Sequence, residues 1–216
     1  MRRSSPRKLL HGRRQCNPAG VLLPQSIAAG PANLTEVFGN RRPVELEIGL
    51  GKGTFLLARA RARPELNFLG LERAEAYCLY AADRCRRAGL TNVRLLCCDA
   101  GSFFHSCLPE QSLWRVHIYF PDPWPKQRHH RRRLIQPRFS YNLCQTLRLG
   151  GQLLIVTDHL DYFRQILTSL NGAFCLASIP FPGIAGANGL LVGTNFARKY
   201  LAEGRVFYSA AWFRYR

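Results

Sequence analysis

Apolar and polar positions change their spacing sharply after Pro43. Before it, residues 1–40 are rich in Arg, Pro, Gly and Asn and read as a loosely ordered segment, except around Leu22 to Ala28. After it, short apolar runs alternate with amphipathic stretches. Val44–Ile48 reads as a buried strand and Thr54–Ala62 as the helix that follows. The alternation repeats with a strand at Asn67–Leu71 and a helix at Ala74–Ala88. Val93–Cys97 is the next strand, with a short helix near Phe103–Cys107. Val116–Phe120 and Phe139–Leu147 form a further strand and helix, as do Gln152–Thr157 and Leu160–Leu170. Phe174–Ile179 and Val206–Phe213 complete a set of seven strands. Strands that alternate with helices predict an α/β fold, a mainly parallel seven-stranded sheet with helices on both faces. Residues 41–216 are expected to form that single domain. In open sheets of this kind ligands bind beyond the carboxyl ends of the strands, so the loops there hold the candidate chemistry.

Charge adds a partner to this picture. The 216 residues carry 31 Lys and Arg against 13 Asp and Glu, a formal net charge of +18. Such an excess repels itself in a compact chain, and a polyanion relieves the repulsion; nucleic acid is the usual one. The charge is also uneven. Arg2, Arg3, Arg7, Lys8, Arg13 and Arg14 all precede the first acid, Glu36. A second acid-free stretch, Pro123 to Thr157, holds Lys126, Arg128, Arg131, Arg132, Arg133, Arg138 and Arg148. Two separate basic blocks suggest two phosphate contacts. No apolar run approaches the roughly 20 residues that a membrane helix needs, so no membrane association is expected. The eight cysteines contain no C-x-x-C pair, which gives no support to zinc or any other metal. A chain of this length does not need disulfide staples, and free thiols in a reducing cytoplasm are the expectation. Residues 1–16 are Arg-rich and acid-poor, as a transit peptide also is, so an organelle stays open as an alternative.

Four strand ends carry candidate chemistry. Glu47-Ile48-Gly49-Leu50-Gly51-Lys52-Gly53-Thr54 follows the first strand. Alternate glycines allow a tight turn and close approach of backbone to ligand. The spacing departs from the dinucleotide pattern G-x-G-x-x-G by one residue. With an acid before it, the loop is similar to the S-adenosylmethionine loop of Rossmann-like methyltransferases, and the ammonium and sulfonium of that cofactor favour a carboxylate such as Glu47. Glu72 closes the second strand, where an acid can accept hydrogen bonds from both ribose hydroxyls. Asp99 follows the third, where it can accept from an adenine amino group. The most specific segment ends the fourth strand: Phe120-Pro121-Asp122-Pro123-Trp124-Pro125-Lys126-Gln127-Arg128-His129-His130-Arg131-Arg132-Arg133-Leu134. Its prolines stiffen a loop that presents Asp122 and Lys126 beside an indole.

That segment resembles the F-P-D-P-W-P-K-x-R-H-x-K-R-R-L signature of the bacterial tRNA (guanine-N7-)-methyltransferases, which modify guanine 46. The resemblance runs from about Val44 to Asp158 and, more weakly, to Thr194 and the C-terminus. It implies a Rossmann-like class I methyltransferase with S-adenosyl-L-methionine as cofactor and tRNA as partner, working as a monomer or homodimer. By resemblance Glu47, Glu72, Asp99 and Asp122 line the cofactor site together with Gly49, Gly51 and Gly53. Asp122 also serves catalysis, while Lys126 and Asp158 contact the guanosine. Thr194 opens the family's Thr-x-x-Glu element and is expected at the substrate; here Ala197 replaces the acid, and Glu203 lies far along the chain. Arg128, Arg131, Arg132 and Arg133 are assigned to RNA phosphates, with the N-terminal arginines as a second grip. Guanine N7 has an in-plane lone pair, so alignment and charge stabilisation suffice and no base is required. Two alternatives remain open. One is methylation of an exocyclic amino group, disfavoured because the loop reads Asp-Pro-Trp rather than Asp-Pro-Pro-Trp. The other is a non-catalytic or altered-specificity RNA-binding protein that keeps the fold.

Overall fold

The computed structural model describes residues 16–182 and 194–216. The strands are β1 (Val44–Ile48), β2 (Asn67–Glu72), β3 (Val93–Cys97), β4 (Leu113–Tyr119), β5 (Leu147–Thr157), β6 (Leu176–Ile179) and β7 (Tyr208–Arg214). They form one sheet in the order β3-β2-β1-β4-β5-β7-β6. The first five run parallel, and β7 pairs antiparallel with both β5 and β6. The expected mainly parallel seven-stranded sheet is therefore present. Strand order reverses between β1 and β4, which opens the crevice where such sheets take ligands.

The helices are α1 (Leu34–Phe38), α2 (Thr54–Ala62), α3 (Glu75–Arg87), α4 (Ala100–Ser106), α5 (Pro137–Thr146), α6 (Leu160–Asn171) and α7 (Asn195–Ala202). Local chemistry explains several starts. Asn33 and Asp99 accept main-chain N–H groups at the first turns of α1 and α4, and Pro137 sits in the first turn of α5. Arginines crowd the last turns of α2 and α3, where they complement the helix dipoles. Alternation along β1 sends Leu46 and Ile48 into a core shared with Phe103, Phe104, Phe139, Leu143, Tyr162 and Ile166. On the other face Leu56, Ala60, Cys78, Ala81, Ala82 and Cys85 pack as a second core, so α2 and α3 cover that side.

The same alternation points Glu45 to the α2 side, where its carboxylate is buried. Glu45 receives Arg59 at 2.9 and 3.0 Å, and His117 Nε2 lies 2.9 Å from it. Burial alone would raise its pKa, but hydrogen bonds from His117 and Arg59 more than offset this and hold it well below its usual range. Desolvation lowers the pKa of His117, and Tyr119 is held protonated by burial. The consistent proton inventory is Tyr119 O–H donating to His117 Nδ1 (2.7 Å) and His117 Nε2–H donating to Glu45. This closed network lies in the layer beneath the glycine loop and fixes α2 against β1 and β4.

Two expectations need correction here, and one helix adds to them. Residues 21–38 are more ordered than their composition suggests: Leu23 N–H donates to Leu95 C=O, Leu95 N–H to Val21 C=O, and Val21, Ala32 and Phe38 are buried. The thiols are not all free. Cys144 of α5 and Cys175, just before β6, form a disulfide, because the fold sets their Cα atoms 6.2 Å apart in the core. The six other cysteines are free. Finally, α7 follows Thr194, where only a short motif was legible. The basic residues Arg2 to Arg14 lie outside the described residues. Among the described residues no helix is long and apolar enough to cross a membrane, and no three His, Cys, Asp or Glu side chains converge as a metal set.

Candidate active site

Five acids stand at or just past the carboxyl ends of five adjacent strands. Along the sheet edge they run Asp99 (β3), Glu72 (β2), Glu47 (β1), Asp122 (β4) and Asp158 (β5). Parallel strands and one sheet order bring together residues spread over much of the chain.

Glu47 occupies the centre of this row. Its carboxyl is buried, and Oε2 has no hydrogen-bond partner among the described residues. Burial pushes its pKa up to about 8, partly countered by the Leu56 N–H and helped by the nearby charge of Glu72. A buried carboxyl with one unpaired oxygen, beside a second acid, suits a cationic ligand group. The loop above it turns through Gly49 (φ 76°) and Gly51 (φ 52°), both in the left-handed region. A Cβ built at either would meet nothing within 4 Å, so the backbone is bare towards open space. Glu72 holds this loop in shape: its Oε2 accepts from Gly51 N–H and its Oε1 from Ala74 N–H, both at 2.9 Å. Gly53 plays a different part. It turns into α2 at φ 66° with its Cα face against Ala81 of α3, where a Cβ would come within 2.9 Å. Asp99 caps α4 through Oδ1, 3.0 Å from Ser102 N. It opens on a cavity of about 280 Å³ shared with Ser102, His105, Gln136 and Arg138.

One residue missed in the sequence completes the glycine loop. Arg84 of α3 donates to the Lys52 carbonyl and, at 3.2 Å, to Thr54 Oγ1. Its position three turns into a helix with an Arg-rich end gave no signal of this tether.

The loop after β4 is backbone-strained. Phe120 (φ 52°) and Trp124 (φ 42°) both adopt the left-handed region, which costs a non-glycine residue about 1–3 kcal/mol. Asp122 lies between them and is exposed, as is Lys126. The surroundings hold the strained turns. Phe120 N–H donates to Val156 C=O at 2.7 Å, and its ring packs edge-on against Tyr200 and Phe207. Trp124 packs edge-on against His129, and the Arg132 guanidinium lies 5.0 Å over its ring.

Arg133 is a correction. The sequence groups it with the arginines expected at RNA phosphates, yet its side chain is buried and its donors are committed inside the protein. Nε donates to the Pro123 carbonyl (2.8 Å), Nη1 to Gln165 Oε1 (2.6 Å) and Nη2 to Asp161 Oδ2 (2.6 Å). His130 Nε2 lies 2.9 Å from Nη2, and the guanidinium rests 4.9 Å over the Tyr162 ring. Arg133 therefore ties the Asp122 loop to α6. Arg128, Arg131 and Arg132 stay exposed. The 3-10 turn over Gln127–Arg132 separates them, because residues three apart share a side: His130 and Arg133 face inward together.

The β5 corner differs from expectation in two ways. Thr194 is buried, and its Oγ1 accepts the Ala197 N–H at 2.9 Å. Its hydroxyl serves as the cap of α7, not as a group open to substrate. Ala197 is itself buried, so the position of the family's acid faces inward in this chain. Meanwhile α7 carries Glu203 back to the same corner. Arg205 donates to Glu203 Oε2 (2.8 Å) and Asp158 Oδ2 (2.5 Å) and lies 4.1 Å over the Tyr200 ring. Sequence distance thus misled: Glu203 and Asp158 share one guanidinium.

The chain is similar to known proteins in both sequence and fold. A family described as putative methyltransferase matches residues 41–180. The chain is 43% identical over 145 residues to a tRNA (guanine-N(7)-)-methyltransferase of Nitrosococcus oceani, covering 67% of this chain and 61% of that protein. It is 36% identical to the enzyme of the same name from Thermus thermophilus, over 91% of this chain and 62% of that protein. The match to the one from Syntrophotalea carbinolica is 36% identical and covers 82% of this chain and 76% of that protein. The chain thus spans about three fifths of the length of the first two relatives. Among solved structures, an antibiotic-related methyltransferase aligns with a TM-score of 0.58 at 18% identity, covering 82% of this chain and 91% of the other. The 16S rRNA methyltransferase KamB aligns equally well, with a TM-score of 0.58 at 15% identity over 84% and 91% of the two chains.

Proposed function

The chain belongs to the tRNA (guanine-N7-)-methyltransferase family, and from that premise we propose that it methylates N7 of a guanine in tRNA, with S-adenosylmethionine as donor and position 46 as the target, in the cytoplasm. The observation that carries the reading is the buried Glu47 carboxyl, its Oε2 without a hydrogen-bond partner among the described residues, under a bare glycine turn in a row of strand-end acids. S-adenosylmethionine, when bound, supplies an electrophilic methyl group on a sulfonium. Glu47 would hold its ammonium, Glu72 its ribose hydroxyls and Asp99 its adenine amino group, with the main chain of Gly49 and Gly51 in close contact. These residues fit the group: they offer carboxylates to a cation and open backbone to a flat ligand.

The remaining chemistry belongs to this chain's own side chains. Guanine N7 attacks with its lone pair, so no proton has to leave first. Asp122 sits on the stiff, strained loop beside the donor's acids, where a fixed carboxylate stabilises the cationic base as it forms. Asp158 reads the N1–H and amino edge of the guanine, for which Arg205 must yield at least one of its bonds. Lys126 binds O6 or phosphate. Exposed Arg128, Arg131 and Arg132 grip RNA phosphates, which position a structured RNA without reading its sequence. Residues 41–216 act as the methyltransferase domain, with the basic segment before them as an additional grip.

The deciding experiment is transfer of a labelled methyl group to bulk tRNA followed by nucleoside analysis. The wild-type chain is expected to yield 7-methylguanosine, and Asp122→Asn to do so at least about tenfold more slowly. Label in an exocyclic amino group, or none from protein that binds the cofactor, would sink the proposal. Reversal of Arg131 and Arg132 to glutamate is expected to weaken tRNA binding and to lower the salt slope by about one per lost phosphate contact. An unchanged slope in a salt titration would remove those residues from the interface.

A further inference from the structure

A groove runs down the outer surface between α2 and α3, on the sheet face opposite the α4–α6 core. It is open and shallow, about 230 Å³ in volume, and is lined by Leu57, Arg61, Arg84, Arg87 and Ala88. Three guanidinium groups converge there, and no carboxylate is among the lining residues. Arg87 is already paired with Asp83, and the positive charge left over at Arg61 and Arg84 is what a bound anion would relieve. Two of the three arginines are already oriented. Arg84 is fixed by the Lys52 carbonyl and Thr54 Oγ1, and Arg87 by Asp83 Oδ2 at 2.8 Å. Little rotamer freedom is left to lose when they bind a phosphate, which favours Arg over a flexible cation at such a site. Arg61 is exposed and completes the set from the α2 side.

Two further observations point to RNA over a small anion. Arg84 lies 5.9 Å over the Tyr80 ring, so the α3 face mixes aromatic and cationic groups, as nucleic-acid surfaces do. The chain also enters the described structure beside this groove. Asn17 N–H donates to Asp83 Oδ1 at 3.2 Å, and Arg86 Nε donates to the Asn17 carbonyl at 2.9 Å. The sequence immediately before Asn17 is the acid-free stretch with Arg2, Arg3, Arg7, Lys8, Arg13 and Arg14. A polyanion can draw on the charge of that sequence as well as on the groove, where a lone phosphate draws on one site.

We propose that the α2–α3 groove is a second phosphodiester-binding surface for the RNA substrate, separate from the basic turn after β4. The proposal rests on the reading of the protein as a tRNA methyltransferase. Through Arg84 the groove is also joined to the glycine loop, so RNA held here bears on the same loop that faces the cofactor.

The test uses the full chain and bulk tRNA, with binding followed by fluorescence anisotropy across a salt series. Arg61→Glu is expected to weaken binding about fivefold to tenfold near physiological salt and to lower the salt slope by about one. Arg87→Gln is expected to weaken it in the same sense. Arg216→Glu makes the same charge change at an exposed site just after β7, on the far side of the sheet, and is expected to shift the affinity less than about twofold. Cofactor affinity, measured by calorimetry on each variant, verifies the fold. Equal losses in Arg61→Glu and Arg216→Glu would show a general charge effect and overturn the groove. So would a wild-type affinity and slope in Arg61→Glu, or a groove that takes inorganic phosphate while tRNA binding ignores the substitutions. If wild type methylates tRNA and Arg61→Glu matches it in binding, the groove proposal alone fails. If wild type binds no tRNA, the functional reading fails with it.

Discussion

Replacing Glu47 with glutamine is expected to weaken S-adenosylmethionine binding about a hundredfold to a thousandfold at pH 8, with the fold intact. Removing one member of a buried charge pair costs about 2–5 kcal/mol, and each 1.4 kcal/mol is a factor of ten. The fold survives because glutamine mimics the protonated acid. Burial raises the Glu47 pKa to about 8, so the carboxyl is mostly neutral at pH 7 before the cofactor arrives. A cationic ligand reverses this balance and drives the proton off. The wild-type dissociation constant should therefore rise about tenfold for each pH unit below 8, while the glutamine variant stays flat. Calorimetry at pH 7 in buffers of different ionisation enthalpy should detect close to one proton released per cofactor bound. The effect on stability has the opposite direction. A carboxyl whose folded pKa lies above its unfolded value, 4.5, contributes stability below pH 4.5 and loses it as pH rises through 8. Glu47→Gln should thus gain thermal stability relative to wild type towards pH 8. A wild-type affinity independent of pH would remove Glu47 from contact with the cation.

The sheet was legible because its signal is local. Each parallel strand is a short apolar run with a helix after it, and period alone locates both. Boundaries slipped where local chemistry changed direction. β5 begins at Leu147, five residues earlier than the apolar run suggests, because Leu147 already pairs with Leu113 while Arg148 to Gly151 bulge out before pairing resumes at Gln152 with Arg115. The strand-end acids were legible for the same reason as the strands: their meaning follows from place in the sheet. What the sequence could not show depends on which way a side chain points across a distance. Arg131, Arg132 and Arg133 are one charge run on paper, and only the turn that precedes Arg133 sends it inward while the others stay in solvent. Glu203 looked too remote from Asp158 until α7 returned it to the same guanidinium. Cys144 and Cys175 are 31 residues apart, with β5 and α6 between them, and nothing local marks them as neighbours.

The inward turn of Arg133 leads to the second large effect. Arg133→Met should lower kcat/KM for tRNA methylation about a hundredfold and reduce the stability of the fold by about 2 kcal/mol, some 4–8 °C in Tm. The stability loss stays moderate because of what is left behind. Asp161 is 61% exposed and returns to water, so no buried charge is stranded. The Pro123 carbonyl and Gln165 each lose a charge-assisted donor, and that sets the scale. The catalytic loss is larger because the Pro123 carbonyl adjoins Asp122, in a loop strained at Phe120 and Trp124. Without its strut the loop relaxes towards unstrained φ values, and a displacement of about 1 Å at a reacting group is enough for two decades in rate. Arg133→Lys should rescue little. An ammonium keeps the charge but lacks the planar fork that reaches Pro123, Gln165 and Asp161 together. Two measurements separate positioning from RNA binding. If Arg133 holds the loop, kcat falls while the tRNA dissociation constant and its salt slope stay within about twofold of wild type. If it binds phosphate instead, the salt slope drops by about one, kcat at saturating tRNA persists, and lysine restores most of the lost affinity.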